Sequence, residues 1–349
     1  MKNLKHYLPI FIGCFIIVGL IAFSFIYTYF IKDTLKPPPT FLYNDEGKMI
    51  GTYGYPPSLT YPFGVDRFGR DVFWMVVDGA KYTIAIAIVV AFVRVVLGII
   101  FGIFYGFTGK KFETIVNPFI NAFRFVPAVI IVLPIFHMLQ IGIGENQIKT
   151  ITLQLLLLSF IAIPILTSTI GDEVKEFLKS DFILSSRVIG AGNMWLRRKH
   201  IFPFLRTRIL LLFVQQTIQV LFLLTQLGVF RLFIGGAVTL FIDDGDGRDM
   251  SKANEWAAMI GSNFFELSID PWVIVGPSIA FIVTIFAFNL IKLGIERAIN
   301  KQPVPTKQLK HDSVMDLGSL NDFDFVNKVE VDEKTDLMKE EKDSYLLSK

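Results

Sequence analysis

Residues 82–107 read YTIAIAIVVAFVRVVLGIIFGIFYGF and contain a single charged side chain, Arg94. An apolar run of about 18 residues or more is typical of a transmembrane helix. At a rise of about 1.5 Å per residue, such a helix crosses a hydrocarbon core about 30 Å thick. This stretch therefore predicts one membrane-spanning helix, and the rest of the chain repeats the pattern.

Five other segments are apolar over a similar length: Leu8–Ile31, Val116–Leu139, Ile151–Ile170, Ile209–Phe233 and Trp272–Ile295. Of the 349 residues, 52% are hydrophobic and 19% are charged, whereas a soluble domain carries about 25% charged residues. Backbone N–H and C=O groups in lipid need internal partners, and the sequence lacks the ten-residue alternation of a β-barrel. We therefore expect an all-α polytopic membrane protein with six transmembrane helices.

Basic residues concentrate between the fourth and fifth predicted helices, whereas residues 234–271 are mainly acidic. The basic residues are Lys175, Lys179, Arg187, Arg197, Arg198, Lys199, Arg206 and Arg208. Because basic loops stay in the cytoplasm, we expect a multi-pass protein of the plasma membrane with both termini in the cytoplasm. Residues 32–81 and 234–271 then lie outside. The basic residues of 32–81 are accompanied by acidic ones, and long outer segments follow the rule loosely.

The predicted organisation has four parts. They are 1–31, the N-terminus and first transmembrane helix; 32–81, an extracellular segment; 82–300, a five-helix core; and 301–349, a disordered cytoplasmic tail. In the outer segment we expect an extended loop over 36–60 and a short interfacial helix over 68–80. The core includes a cytoplasmic loop, 171–208, and an extracellular loop, 234–271. The single cysteine, Cys14, is expected to be buried in an uncleaved first helix.

Motifs of catalysis and metal binding are missing from the sequence. It has no Gly-x-x-x-x-Gly-Lys-Ser/Thr phosphate loop, no His-Glu-x-x-His, no paired cysteines and no Gly-x-Ser-x-Gly. The acidic run 243–249 resembles a calcium loop, but Arg248 occupies a ligand position and Asp249 the position of the turn glycine. We therefore interpret it as a solvated polar loop. The chain is predicted to have no enzyme activity, metal or cofactor of its own.

Three ionisable residues, Arg94, Arg124 and His137, fall within or beside predicted spans. Charge at the centre of a bilayer costs at least about 2–3 kcal/mol, so such residues usually pair or line a pathway. Arg94 is closest to the middle of its helix. It either stabilises packing, through a carbonyl or an acid of a partner subunit, or belongs to a translocation pathway. Arg124 and His137 lie nearer the helix ends and are expected to snorkel or cap.

The cytoplasmic segment 173–208 mixes apolar and charged residues around Gly190-Ala191-Gly192. This pattern predicts a helix, a glycine turn and a second helix. Apolar residues beneath a membrane domain indicate either a docking partner or packing against the protein's own helices.

Four stretches resemble a known family. Tyr61-Pro-Phe-Gly-Val-Asp-Arg-Phe-Gly-Arg-Asp71 resembles its outer signature H-P-F/L-G-T-D-x-x-G-R-D, with Pro62, Gly64, Asp66, Gly69, Arg70 and Asp71 as matching positions. Gly79-Ala80-Lys81 with Thr83 resembles G-A-R-x-S, and Arg187-Val-Ile-Gly-Ala191 through His200-Ile-Phe-Pro203 resembles the coupling loop E-A-A-x-x-x-G…H-I-L-P. Pro271-Trp272, Pro277 and Ala287-Phe-Asn-Leu290 resemble its last helix. Over residues 8–300 the chain resembles the C-type permease subunit of bacterial dipeptide/oligopeptide/nickel ABC importers.

The resemblance implies the type I ABC importer permease fold. It implies a second homologous permease subunit, two ATP-binding subunits that carry the ATP, and an extracellular solute-binding protein or lipoprotein, with no nucleic acid. Residues 182–190 would form the coupling helix, Gly190 its turn, and Pro203 would restart the following helix. The implied ATPase-coupling residues are Phe182, Ser185, Ser186, Arg187, Gly190, Ala191, His200 and Pro203. Arg187 and residues 197–199 would face the acidic ATPase surface or lipid headgroups.

Two features depart from the family pattern. Leu184-Ser185-Ser186 stands where the family has Glu-Ala-Ala, and Arg94 stands where a small or apolar residue is usual. Two other functions stay open at this stage: an ion-coupled secondary transporter, which would show inverted repeats and embedded acids, and a non-transporting membrane scaffold. The solute, and whether the membrane partner is a homologue or a second copy, are also left open.

Overall fold

The computed structural model describes residues 4–39, 41–43, 49–52, 54–142, 146–242, 246–251 and 254–300. The predicted tail, 301–349, lies outside the described residues. The helices are α1 (Leu4–Ile26), α2 (Val72–Gly106), α3 (Lys110–Phe125), α4 (Ala128–Gly142), α5 (Gln147–Phe160), α6 (Ile163–Leu178), α7 (Asp181–Val188), α8 (Asn193–Leu196), α9 (Phe202–Val229), α10 (Trp256–Ser262) and α11 (Trp272–Asn300). Two π-helical turns, Tyr27–Ile31 and Arg197–Ile201, extend α1 and join α8 to α9. Two 3₁₀ turns are Lys32–Thr34 and Phe264–Ser268.

Two short antiparallel hairpins accompany the helices. They pair β1 (Phe41–Tyr43) with β2 (Met49–Thr52), and β3 (Ala237–Ile242) with β4 (Asp246–Ser251). In the described part of the chain, five helices are long and apolar enough to cross a membrane, or six if the bent pair α3–α4 forms one span. The predicted class, an all-α polytopic membrane protein, is confirmed, with the hairpins as additions outside the spans.

The long helix α2 forms the centre of the bundle. It packs along α6 and α9, while α1 packs mainly against α11. On the α6 side, α2 presents Gly98, Gly102 and Gly106. A Cβ added at Gly102 would lie only 2.7 Å from the Cβ of Ile170, so glycine there permits the close approach of the two helices.

The interfacial helix predicted over 68–80 is wrong as a separate element. Asp71 caps the N-terminus of α2, because its carboxylate accepts hydrogen bonds from the N–H groups of Phe73 (2.9 Å) and Trp74 (3.4 Å). From there α2 runs without a break for 35 residues. Gly79 lies inside this helix, and a Cβ there would clash with the carbonyl of Asn254 and the ring of Trp256.

The third predicted span, 116–139, is broken rather than straight. Helices α3 and α4 meet at an angle of 82° around Pro127. Proline disfavours the helical conformation in the preceding residue, and Val126 is extended, with ψ 123°. The fourth span has a milder break, a turn at Ile161–Ala162 between α5 and α6, where both residues keep helical backbone angles and the span Gln147–Leu178 is not sharply bent.

The two segments predicted to lie outside the membrane are more ordered than expected from the sequence. The β1–β2 hairpin lies within residues 36–60. The prediction of an extended loop over this stretch is therefore wrong in part. Of the acidic run interpreted as a polar loop, 243–245 lie outside the described residues and 246–249 belong to β4. The segment 234–271 also contains α10, whose Trp256 is fully buried.

Three single-residue predictions have different outcomes. Cys14 is exposed on the surface of α1, so the prediction of a buried thiol is wrong. Arg124 reaches α6, where its Nη2 donates to the hydroxyl of Ser168 at 3.3 Å. His137 is exposed on α4.

Candidate functional site

Helix α7 and the short α8 form a hairpin at one end of the bundle. The predicted glycine turn is confirmed: Gly190 has φ +101°, and its N–H donates to the carbonyl of Arg187 at 2.9 Å. A side chain in this backbone conformation is strained, although a Cβ at Gly190 would meet no atom within 4 Å. Glycine is therefore required here by the turn and not by packing.

An aromatic cluster ties this hairpin to the bundle. Phe177 of α6 stacks on Phe204 of α9 with ring centroids 4.1 Å apart. Phe182 of α7 packs edge-on against Phe177 (5.4 Å) and against His200 (5.6 Å), and His200 also contacts Trp195 (5.0 Å). Phe182, although half exposed, and His200 thus connect the hairpin to the ends of α6 and α9.

The outward face of the hairpin is apolar. Val188 and Ile189 are 89% and 88% exposed, and Met194 is 72% exposed. Leu184, at the position where the family has Glu, is half exposed on the same helix. Aliphatic side chains this exposed, beside the tight turn at Gly190, form a contact surface with no partner in this chain.

The remaining predicted coupling residues surround that surface. The hydroxyls of Ser185 and Ser186 donate to carbonyls one turn back in α7, at 2.9 and 2.8 Å. Arg187 is exposed and Ala191 is half-buried. Six of the eight predicted coupling residues therefore lie in the hairpin, whereas His200 lies in the π turn that follows it and Pro203 at the start of α9.

Two expectations about the following helix are wrong. Pro203 does not restart it, because the π turn 197–201 carries the helix continuously from α8 into α9. A π turn is wider than an α-helical turn. It precedes Pro203, which has no N–H to donate to the carbonyl one turn back. Arg197 does not face outward either: its guanidinium lies over the rings of Phe104 (5.0 Å) and Phe107 (4.6 Å).

The outer signature, residues 61–71, forms a closed loop at the other end of α2. Asp66 is fully buried, and its Oδ1 accepts hydrogen bonds from the N–H groups of Phe68 (3.0 Å) and Arg70 (2.8 Å). The guanidinium of Arg70 binds Oδ2 of Asp66 at 2.6 Å. Gly64 and Gly69 both have φ +72°, and Pro62 is exposed. The signature therefore builds a loop that supports itself and ends in the Asp71 cap.

The signature loop and the α7–α8 hairpin lie at opposite ends of the bundle. Helix α2 begins beside the loop at Val72 and ends at Gly106, where its last turns meet Arg197. A helix of 35 residues is about 50 Å long, more than the thickness of a bilayer core. One end of the molecule carries a polar loop and the other an exposed apolar hairpin.

The family model of the binding-protein-dependent transport system inner membrane component matches residues 95–302. The chain belongs to this family.

Two relatives illustrate the similarity. The peptide transport system permease protein SapC of Haemophilus influenzae is 25% identical over 284 residues, which cover 80% of this chain and 87% of the relative. The glutathione transport system permease protein GsiD of Escherichia coli O157:H7 is 24% identical over 244 residues, covering 70% of this chain and 73% of the relative. The protein is a multi-pass membrane permease subunit of an ABC importer, and the secondary-transporter and scaffold alternatives are set aside.

Several contacts at the signature-loop end of the permease were not predicted from the sequence. The hydroxyl of Thr83 accepts the N–H of Trp256 at 3.0 Å, and the indole N–H of Trp256 donates to the carbonyl of Val76 at 2.8 Å. Arg67 forms ion pairs with Glu266 (2.5 Å) and Asp270 (3.6 Å). These contacts fasten the segment 254–270 onto the signature loop and the start of α2. The sequence contained one signal for this packing: α10 is an apolar run inside an otherwise acidic stretch.

Glu255 is a buried acid in the segment between α9 and α11. It is the N-cap of α10, and its carboxylate accepts the N–H of Ala257 at 2.9 Å. Burial raises the pKa of Glu255 to about 7, although the backbone N–H groups of Ala257, Ile234 and Ala258 act in the opposite direction. This carboxyl titrates near neutral pH.

Arg94 is buried in α2, with 3% of its surface exposed. Its Nε and Nη2 donate to the carbonyl of Leu158 at 3.0 and 2.6 Å, and its Nη1 to the side-chain oxygen of Gln216 at 3.4 Å. No carboxylate of the described residues forms an ion pair with it. The carbonyl pairing considered from the sequence is thus present. Within the described part of the permease, no group of three His, Cys, Asp or Glu side chains is placed to bind a metal.

Proposed function

We propose that this permease forms one half of the translocation pathway of an ATP-driven importer for peptides or similar small solutes. An extracellular binding protein or lipoprotein delivers the solute. A second, homologous permease subunit completes the pathway, and two separate ATP-binding subunits hydrolyse the ATP. In this account the chain itself binds no cofactor.

The observation that carries the proposal is the exposed apolar face of the α7–α8 hairpin. Val188 and Ile189 stand beside the Gly190 turn with nearly their full surface exposed. Burying two such side chains stabilises a complex by about 1.5–3 kcal/mol each. An ATP-binding subunit is the partner that the family supplies at this end. We assign the coupling role to this hairpin.

The aromatic cluster gives the hairpin a mechanical role. Because Phe182 is wedged between Phe177 of α6 and His200 ahead of α9, a displacement of α7 moves the ends of both helices. Closure of the ATP-binding subunits would then move the spans as rigid bodies and switch the pathway between inward- and outward-facing states. The missing glutamate at Leu184 makes this contact depend on shape more than on charge.

The orientation follows from the same assignment. The α7–α8 hairpin, with Arg187, Arg198 and Lys199 exposed, lies in the cytoplasm, where basic loops are retained. The signature loop then lies outside, on the side from which the binding protein approaches. Both termini are cytoplasmic. Peptides are the proposed solute class because the relatives named above transport a peptide and glutathione.

Co-purification of the ATP-binding subunits tests this proposal. Val188→Asp places a charge in the centre of the proposed contact, and Leu59→Asp makes the same change at a fully exposed position of the outer segment. We expect Val188→Asp to lose the ATP-binding subunits from the purified complex and Leu59→Asp to retain them. Retention of a full complement by Val188→Asp, with normal uptake, would overturn the coupling assignment.

A further inference from the structure

A cavity of about 280 Å³ lies inside the membrane-spanning part, between α2, the two helix breaks and α9. One wall is Pro127 and Ala128 at the α3–α4 break, and another is Ile161 and Ala162 at the α5–α6 break. Non-helical backbone at membrane depth is tolerated where it is buried in protein or lines a cavity. The non-helical backbone at Val126–Pro127 and the helical turn at Ile161–Ala162 both border this cavity.

Three polar side chains line an otherwise apolar wall: Arg94, Gln219 and Gln226. Gln219 and Gln226 are two turns apart on one face of α9, and both are exposed. Neither side-chain amide has a hydrogen-bond partner among the described residues. The half-exposed Phe222 lies between them, so the cavity reaches the surface of the chain.

Arg94 lines this cavity with N–H groups that have no hydrogen-bond acceptor among the described residues. A guanidinium carries five N–H groups, and three of them donate to Leu158 and Gln216. Two N–H groups remain, and no acid of the described residues neutralises the charge. An arginine inside a membrane usually pairs with an acid or marks a substrate pathway. The bonds to Leu158 and Gln216 fix the guanidinium and leave its positive charge without a counter-ion.

We infer that this cavity binds a carboxylate of the transported solute, held by Arg94 with Gln219 and Gln226 as neutral donors beside it. A carboxylate suits the planar guanidinium and the amide N–H groups. The cavity volume of about 280 Å³ is close to the lower limit for ligand pockets. It fits the carboxylate end of a peptide, while the rest of the peptide lies in the pathway. This inference rests on the proposed function and adds the chemical class of its solute.

The test is uptake of radiolabelled dialanine by the complete importer in proteoliposomes. Arg94→Gln should lower uptake by more than about tenfold, because the carboxylate then enters the cavity without a counter-charge. Arg94→Lys should restore part of it. Arg124→Gln, which removes an exposed arginine of α3, is the matched control and should leave uptake unchanged.

A second variant covers the chance that Arg94 variants fail to fold. Gln219→Glu supplies a competing carboxylate from an exposed position, and should also lower uptake by more than about tenfold in a normally assembled complex. Normal uptake by both Arg94→Gln and Gln219→Glu would overturn the inference. The inference would also be overturned if the Arg94→Gln complex lost the second permease subunit while Gln219→Glu took up dialanine normally. Arg94 would then pair with a carboxylate of the partner subunit and not with one of the solute. Failure of the wild type to take up any peptide would instead contradict the proposed function.

Discussion

The ring of Phe177, at the end of α6, stacks on the ring of Phe204, at the start of α9, with centroids 4.1 Å apart and planes 24° apart. The α7–α8 hairpin leaves the bundle after one of these residues and returns before the other. The stack therefore closes the base of the hairpin. A force applied to α7 reaches two membrane-spanning helices through this pair.

Phe177→Ala removes the stack, and an aromatic pair contributes about 0.5–1.5 kcal/mol beyond its buried area. We expect lower solute uptake per ATP hydrolysed, because the base of the hairpin becomes loose while its outward face stays intact. Coupled uptake and ATPase assays on the reconstituted complex measure this ratio. Phe119→Ala, which breaks an aromatic pair with Phe123 on α3, is the control. An unchanged ratio in Phe177→Ala would show that the stack transmits nothing.

Gly190→Val should insert into the membrane but uncouple ATP hydrolysis from uptake. A β-branched residue at φ +101° is strained by about 1–3 kcal/mol, and relief of that strain misplaces α7. Gly192→Val is the matched control, since Gly192 is extended (φ −74°, ψ 160°) and a Cβ there also meets no atom within 4 Å. Uptake and co-purified ATPase are measured together. Equal uptake by the two variants would contradict the requirement for glycine at 190.

Asp66→Ala should destabilise the outer end of the permease. The substitution removes the acceptor of two backbone N–H groups and of Arg70, and hydrogen bonds to a charged group contribute about 1.5–3 kcal/mol. We expect a lower midpoint of thermal unfolding in detergent and weaker docking of the binding protein. Asp33→Ala changes an exposed acid of the same outer region and should leave the midpoint unaltered. A signature that acted only as a recognition motif would lose docking without losing stability.

Glu255 should make stability depend on pH. Its folded-state pKa, about 7, lies above its ordinary value of 4.5, so between these values the folded state holds the extra proton. The free energy of unfolding therefore falls as pH rises from about 4.5 to about 7 and then levels off, a loss on the order of 3 kcal/mol.

Glu255→Gln keeps a side-chain oxygen for the N–H of Ala257 and removes the titration. Unfolding midpoints at pH 5, 6, 7 and 8 measure the effect. The wild type should lose stability across this series, whereas Glu255→Gln should lose much less. Parallel curves for the two proteins would mean that Glu255 does not titrate in this range.

Periodicity and composition predicted the spans because a helix in lipid needs little beyond length and apolar side chains. They did not predict how the spans bend. Pro127 carried the signal for the α3–α4 break, since the residue before a proline avoids the helical conformation. Pro203 carried the same signal and was misleading, because a π turn keeps the helix continuous there.

The site was predictable where one residue type determines the backbone. Gly190 was identified as a turn from its sequence context, and its φ of +101° confirms it. Partners distant in the chain were not predictable: Phe182 with His200, Thr83 with Trp256, and Arg94 with the carbonyl of Leu158. Single-sequence patterns contain no information on such pairings, which decide whether a residue faces a partner or the protein's own interior.

Site-specific photo-cross-linking from the α7–α8 hairpin tests the central claim most directly. A photoreactive residue at Val188, in the assembled importer, should form a covalent adduct with an ATP-binding subunit, whereas the same residue at Leu59 should form none. Both positions are exposed, so reactivity alone does not separate them. Absence of the adduct at Val188 in an intact complex, or its appearance at Leu59, would contradict the assignment of this hairpin as the coupling element.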